Sequence, residues 1–369
     1  MRNLPQLTNA VQRNCDISDA RHAGDYGLCT FLLKMREYYR WENEVPFARA
    51  LPKDEVGDWL KTREQQLDDI EAEDFAPLPL ASGELGPFDA DAANRELLPQ
   101  GCVYSAGYGR FQKPIFFLGR LLRVEERAGF TILISSCEYA RELAAPPAML
   151  QGRTIFVRME SVRRYLWEKI EEWQWRKQET AMARALASYD FVADTEAALE
   201  RMADNEMESM ILHELGEARA GALLGEAWRD MTLSLARTKG ELVARAVRDL
   251  LADCLSTLPE LLKRANLPAL HFYFATFDAQ RRQLFPQVRE AYDHFLCYGT
   301  LDRLWHVVNE GQERWLAVAR ALLALDTVAR ESAMEALLQD ASARAGASSV
   351  SSECPVPPID AERDASEVR

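Results

Sequence analysis

The chain has 369 residues, is 48% hydrophobic and carries a net charge of −14, enough length and apolar content for one large or two to three smaller packed domains. Acidic residues are spread along most of it and the basic runs, such as Arg163-Arg164 and Arg281-Arg282, are short, which argues against nonspecific binding to nucleic acid or anionic membrane. No run approaches the ~18 apolar residues of a membrane span, and the opening MRNLPQLTNAVQRNC lacks a signal peptide's apolar stretch. A cytoplasmic protein is expected. Cysteines at 15, 29, 102, 137, 254, 297 and 354 include no CxxC pair, the pattern of free thiols in a reducing compartment rather than of a disulfide frame or zinc ribbon.

Residues 1–75 read as an N-terminal helical segment. Asp16 with Asp19 could cap a short helix, and Leu28, Phe31, Leu32, Met35, Tyr38 and Tyr39 recur at three- and four-residue steps, predicting an amphipathic helix from about Gly27 to Trp41. A second helix begins near Asp54, after Leu51-Pro52, and gives way at the acidic run Asp68 to Asp74. In CDISDARHAGDYG, Asp16, Asp19, His22 and Asp25 recur every third residue. Such a set could bind a metal or move protons, although Asp, Ser and Gly also cluster wherever a chain caps and turns. The stretch VQRNCDISDARHAGDYGLCTFLLKMREYYRWE resembles the opening of a family of uncharacterised bacterial proteins, and HELGEA at 213–218 is similar to a second block of it. The resemblance runs to about residue 340 and implies no particular reaction.

Residues 76–100, rich in Pro, Gly and small acidic side chains, read as a linker or long loop. Gly101–Ala106, Ile115–Val124, Phe130–Ser135 and Thr154–Met159 are short β-branched and aromatic runs, predicting a small, mainly antiparallel sheet module over 101–159 with a hairpin turning across Glu125–Ala128. SAGYGRF at 105–111 matches neither GxxxxGK[ST] nor GxGxxG, so it reads as a turn. Ser136-Cys137 has no histidine beside it and reads as an ordinary strand end.

From 160 to 340 the pattern is helical: Val162, Leu166, Ile170 and Trp173 begin a long amphipathic helix, helices follow around 190–203, 205–236, 239–257 and 259–265, one or two lie between about 269 and 298, and another runs from 301 to 340. The tail 341–369 is Ser-, Pro- and acid-rich and is expected to be disordered. The fold class is α+β, predominantly helical, with the sheet module inserted between helical regions.

The chemistry concentrates in Asn205–Arg229. At 100° per residue Glu206, Met210, His213, Glu217, Leu224 and Trp228 share one stripe, with Glu208, Arg219 and Glu226 nearly opposite. His213 and Glu217, Glu290 and His294, and His306 and Glu310 are each four residues apart, the spacing by which helical bundles present ligands to a metal. His306 shares its face with charged residues and is expected to face solvent. His271, among aromatics, reads as a hydrogen-bonded core residue or an additional ligand. ILHELGEA also resembles the zincin peptidase helix, but Glu217 stands where the second histidine of HExxH belongs, with Glu214 at the position of the base. The leading expectation is a divalent metal, iron, manganese or zinc, on His213 and Glu217, with Glu206, Glu290 and His294 as further ligands and Glu214 as catalytic base. That would give a hydrolytic or redox role toward a small molecule or protein. The opposing expectation is a non-catalytic interaction or scaffold protein, in which Gly216, Ala220, Gly221 and Gly225 permit close helix packing.

Overall fold

The computed structural model describes residues 3–109, 112–176, 180–236 and 238–347. The chain divides into two compact units, Met1–Glu171 with Asp190–Ile211, and Glu172–Tyr189 with Leu212–Arg369. The fold is α+β and predominantly helical, as expected from the sequence.

The first unit begins with α1 (Leu4–Arg21), α2 (Leu28–Glu42) and α3 (Lys53–Ile70). Asp16 and Asp19 lie inside α1, whose start is set by Pro5 in its first turn, where a missing N–H costs nothing. They cap nothing. Asp16 pairs with Arg63 and Asp19 with Lys113, while His22 Nδ1 meets Asp25 at 2.8 Å, so the three-residue repeat is resolved into separate ion pairs. Residues 76–100 are not a loop: they hold the hairpin β1 (Leu78–Leu80) and β2 (Gly83–Leu85) and the helix α4 (Ala90–Leu97). Leu78, Leu80, Ala93 and Leu97 join Leu7, Val11 and Cys15 of α1 in one apolar cluster against the sheet.

The sheet runs β3 (Cys102–Tyr108), β4 (Pro114–Arg127), β5 (Phe130–Arg141), β7 (Thr154–Arg158) and β6 (Ala148–Gln151) in spatial order. It is mixed: β5 and β7 are parallel, the other neighbours antiparallel. The β4–β5 hairpin turns later than expected, at Ala128-Gly129, both with positive φ (50° and 80°), the backbone of a tight primed turn. Glu125 to Arg127 are therefore strand. Successive residues alternate faces: Tyr104, Phe116 and Leu118 pack with α1, while Val103, Phe117, Leu133 and Phe156 form a separate cluster. Beside Phe117 lies a buried ion network at the ends of β5 and β7. Arg158 donates to Glu138 at 2.6 Å and to Glu142 at 3.1 Å, and Ser161 Oγ donates to Glu138 at 2.6 Å. The loop 105–111 reaches strand only to Tyr108; Arg110 and Phe111 lie outside the described residues.

The second unit is helical. Its core gathers Leu250, Leu251, Phe274, Tyr292, Val308 and Trp315, drawn from α9 (Lys239–Ala252), α11 (Leu267–Thr276), α13 (Pro286–Tyr298) and α14 (Asp302–Ala324), with Phe277 just after α11. Shorter elements join them: α6 (Thr180–Leu186), α8 (Glu226–Ser234), α10 (Leu258–Lys263) and α12 (Ala279–Leu284), with α15 (Thr327–Ala347) last. The preceding helices are α5 (Met159–Arg176) and α7 (Thr195–Leu224). The helix expected over 205–236 breaks at Gly225, whose φ of 73° ends α7, so Trp228 belongs to α8 and not to the stripe.

Between α9 and α10 lies a π turn, Asp253–Thr257. Pro259 explains it: proline brings no N–H and crowds the carbonyl four residues back. The freed carbonyls are taken up elsewhere, that of Cys254 by Gln312 at 2.8 Å and that of Leu255 by Arg219 at 3.0 Å.

The expected disordered tail begins within α15, which runs to Ala347; residues 348–369 lie outside the described residues. Cys15, Cys29, Cys102, Cys137 and Cys254 are free thiols, while Cys297 is disulfide-bonded, contrary to the free-thiol reading. No helix among the described residues is long and apolar enough to cross a membrane.

Candidate functional site: a histidine–carboxylate cluster in the second unit

The cluster is built where α7 meets the C-terminal end of α9. Gly216 makes the approach close: a Cβ there would collide with the Ala252 carbonyl and come within 3.1 Å of Ser256 Cβ. This brings His213 and Glu217, one turn apart on the same face with Gly216 between them, against Asp249 and Asp253. Of the other small residues expected to serve packing, Ala220 is buried in the core and Gly221 has open space where its Cβ would be.

His213 Nδ1 lies 2.8 Å from Asp253 Oδ1 and its Nε2 is 3.6 Å from Glu217 Oε1. Asp253, 1% exposed, also accepts from Tyr273 Oη and Arg281 Nη1, both at 2.9 Å. Arg281 is aimed by Asp278, which caps α12 through the Arg281 N–H and grips its Nε, both at 2.8 Å. Arg248 Nη2 donates to Glu217 at 2.6 Å and is 3.5 Å from Asp249. One ligand atom each from His213, Glu217 and Asp249 lies within 4.8 Å of the others, the grouping of this kind found among the described residues.

The electrostatics follow from burial and pairing. Burial alone would depress the imidazole pKa, but Asp253 and Glu217 hold it well above the usual histidine value. Burial pushes Asp249 up. The Asp253 carboxyl stays low despite its burial because His213 and Arg281 face it, and Glu217 is held down by His213 and Arg248. Tyr273, buried beside Asp253, is raised and stays a neutral donor.

Two matches then bear on the chain as a whole. Residues 6–158 match the N-terminal domain, and residues 163–344 the C-terminal domain, of a family of unknown function, DUF6866. The chain belongs to this family. No curated protein and no solved structure matches it. The cluster lies wholly within the C-terminal DUF6866 domain, and the family boundary falls just after Arg158, where β7 gives way to α5.

The remaining expected residues are placed as follows. Glu214 is half-buried and its charge acts on Arg248. Glu290 is 3.9 Å from Arg303, and His294 lies against the Tyr298 ring, centroids 4.4 Å apart; neither joins the cluster. His271 Nδ1 meets Tyr292 Oη at 2.8 Å, and burial lowers its pKa to about 4. His306 is 71% exposed beside Glu310. The sequence reading missed Asp249, Asp253, Arg248, Tyr273 and Arg281. The spacing Asp249 to Asp253, one turn, was the available signal.

Glu206 belongs to the first unit and is not a member of the His213, Glu217 and Asp249 group. It is 2% exposed, with Asn205 Nδ2 at 3.4 Å and no basic partner among the described residues. Burial pushes its carboxyl up to about 8. A raised carboxyl favours the protonated folded state, so its contribution is full below the unfolded value near 4.5 and is lost as pH rises through 8. Glu206→Gln is expected to stabilise the protein by about 3 kcal/mol at pH 7 and by almost nothing near pH 4. Thermal unfolding at the two pH values checks it; a variant destabilised equally at both would show that Glu206 is held as a charge.

Proposed function

We propose that the C-terminal domain binds a divalent metal, iron, manganese or zinc, through His213 Nε2, Glu217 and Asp249, and uses it in hydrolytic or redox chemistry on a small-molecule or protein substrate. The observation that carries this is the convergence of the three ligand atoms within 4.8 Å, with Nδ1 of the histidine already engaged by Asp253. Metal-binding histidines are oriented in this way, one ring nitrogen on a carboxylate and the other on the ion. Imidazole and carboxylate donors suit iron, manganese and zinc alike. Arg248 would yield its Glu217 oxygen to the ion and stand beside it as a cation for an anionic substrate group. Glu214, on the next helical position, is the proposed base.

One observation favours a second reading, a structural ion cluster in an interaction or scaffold protein. Asp249, Asp253 and Glu217 face Arg248, Arg281 and a His213 held in its charged form, so the charges balance with no ion present. Elemental analysis decides. Near-stoichiometric metal in the purified, untagged protein, absent from His213→Ala/Glu217→Ala, is the expected result. No metal in either protein, with the variant only less stable, would overturn the metal reading in favour of the structural one.

A further inference from the structure

We propose that the first unit carries a binding pocket for an organic phosphate, with Arg49 and Lys53 holding the phosphate group. The pocket, about 500 Å³, lies between α2, the loop that follows it, the first turn of α3 and the middle of α5, a size that suits a small organic ligand. Its lining carries four cations, Arg36, Arg40, Arg49 and Lys53, against one carboxylate, Glu171, while Asp54, Glu55 and Glu196 lie outside the lining. In a chain of net charge −14 this is a local reversal of sign, and such a recess concentrates anions.

Two of the four cations are already matched. Arg36 donates to Glu37 at 2.8 Å and also to Glu171, and Arg40 donates to Glu37 at 3.2 Å. Two carboxylates therefore answer two guanidiniums. Arg49 and Lys53 are exposed, and neither has an acidic partner among the described residues. They leave the wall with two uncompensated positive charges that are free to turn toward a ligand. A phosphomonoester, with a charge of about −1.5 to −2 at pH 7 and three strong acceptor oxygens, answers both. A single carboxylate answers one.

The loop that carries Arg49 is held in shape by the protein itself. Arg40, 5% exposed, ties its two ends by donating to the Pro46 carbonyl at 2.6 Å and the Arg49 carbonyl at 3.1 Å, and Glu196 accepts from the Ala48 N–H at 3.0 Å. Pro46 and Pro52 bracket the loop, each with a fixed φ. A ligand arriving there has little loop to order. The rest of the lining narrows the class. Phe47, Leu51, Val56 and Trp167, all half-buried, form an apolar wall beside the two cations, with the Phe47 and Trp167 rings 5.9 Å apart. Inorganic phosphate would leave that wall wet, whereas an apolar or aromatic group joined to the phosphate covers it.

Thermal unfolding of the full chain, titrated with phenyl phosphate, inorganic phosphate and benzoate, tests the assignment. The expected result is a saturable rise of about 3 °C at ten times Kd for phenyl phosphate. Inorganic phosphate and benzoate should each bind about tenfold more weakly or worse, because one lacks the apolar part and the other the second charge. Arg49→Gln/Lys53→Gln should abolish the rise while unfolding within about 2 °C of the unmodified protein, since both side chains are exposed and unpaired. If the double variant fails to fold, Lys53→Gln decides: it should weaken phenyl phosphate about fivefold or more. No saturable response to phenyl phosphate, equal affinity for either of the other two anions, or unchanged affinity in the variant that folds would overturn the proposal and leave Arg49 and Lys53 as solvated surface charges.

Discussion

Arg158→Ala is expected to cost the first unit about 4 kcal/mol, a large part of the stability of a typical domain. The side chain is 2% exposed and is the common partner of Glu138 and Glu142, both fully buried within the strand ends it joins. Truncating it leaves two carboxylates in an apolar interior with Ser161 as their remaining strong donor. Removing one member of a buried ion set is far more damaging than removing all of them. The triple variant Glu138→Gln/Glu142→Gln/Arg158→Met should therefore recover most of the loss. The same network sets an acid limit. Burial would raise the Glu138 carboxyl, but Arg158 and then Arg141 overcome it and hold it at about 2. A depressed carboxyl contributes stability above its unfolded value near 4.5, and that stability is lost as pH falls through 2. Urea unfolding at pH 7 checks the first claim, and the pH dependence of unfolding, which Glu138→Gln should flatten between pH 4.5 and 2, checks the second. A loss below about 1 kcal/mol in Arg158→Ala would show that water or a rearranged arginine takes over the pairing.

The helical period was legible in the sequence wherever one face is apolar and the other charged, but the face itself was less so. α2 falls where the spacing puts it, yet of the residues that marked it Phe31, Met35, Tyr38 and Tyr39 are buried while Leu28 is 72% exposed. Periodicity counts apolar positions and does not say which of two apolar flanks finds a neighbour. Residues 76–100 were misread for another reason: a three-residue strand with buried Leu78 and Leu80 around Pro79 is too short to show an alternation, and proline at an edge strand looks the same as proline in a loop. In the candidate site, half the cluster was visible. His213 and Glu217 stand out because imidazole and carboxylate share a helical face, whereas Asp249 and Asp253 pass for the polar flank of an amphipathic helix. The burial of Asp253 and the placement of half-buried Asp249 depend on Gly216 letting two backbones touch and on Pro259 unwinding a turn. Both are pairings between distant parts of the chain, on which local spacing carries no information.

Asp253 is where stability and the proposed chemistry can be separated. It accepts from His213, Tyr273 and Arg281 at 2.8 to 2.9 Å while 1% exposed. Asp253→Ala strands a guanidinium and an imidazole together and is expected to cost about 4 kcal/mol. Asp253→Asn keeps one oxygen of the same shape, able to accept from His213 Nδ1, and should cost less than half as much. If Asp253 acts by orienting a metal ligand, metal affinity should fall about 10- to 100-fold in the Asn variant, out of proportion to its modest loss of stability. The reason is that an amide neither polarises the imidazole nor offsets the charge of the ion as a carboxylate does. If the cluster is structural, metal content is nil throughout and the two variants differ only in unfolding free energy. Equal metal affinity in the unmodified and Asn proteins would remove Asp253 from the site while leaving His213, Glu217 and Asp249 as ligands, and the geometry around Nδ1 would then be a matter of folding alone.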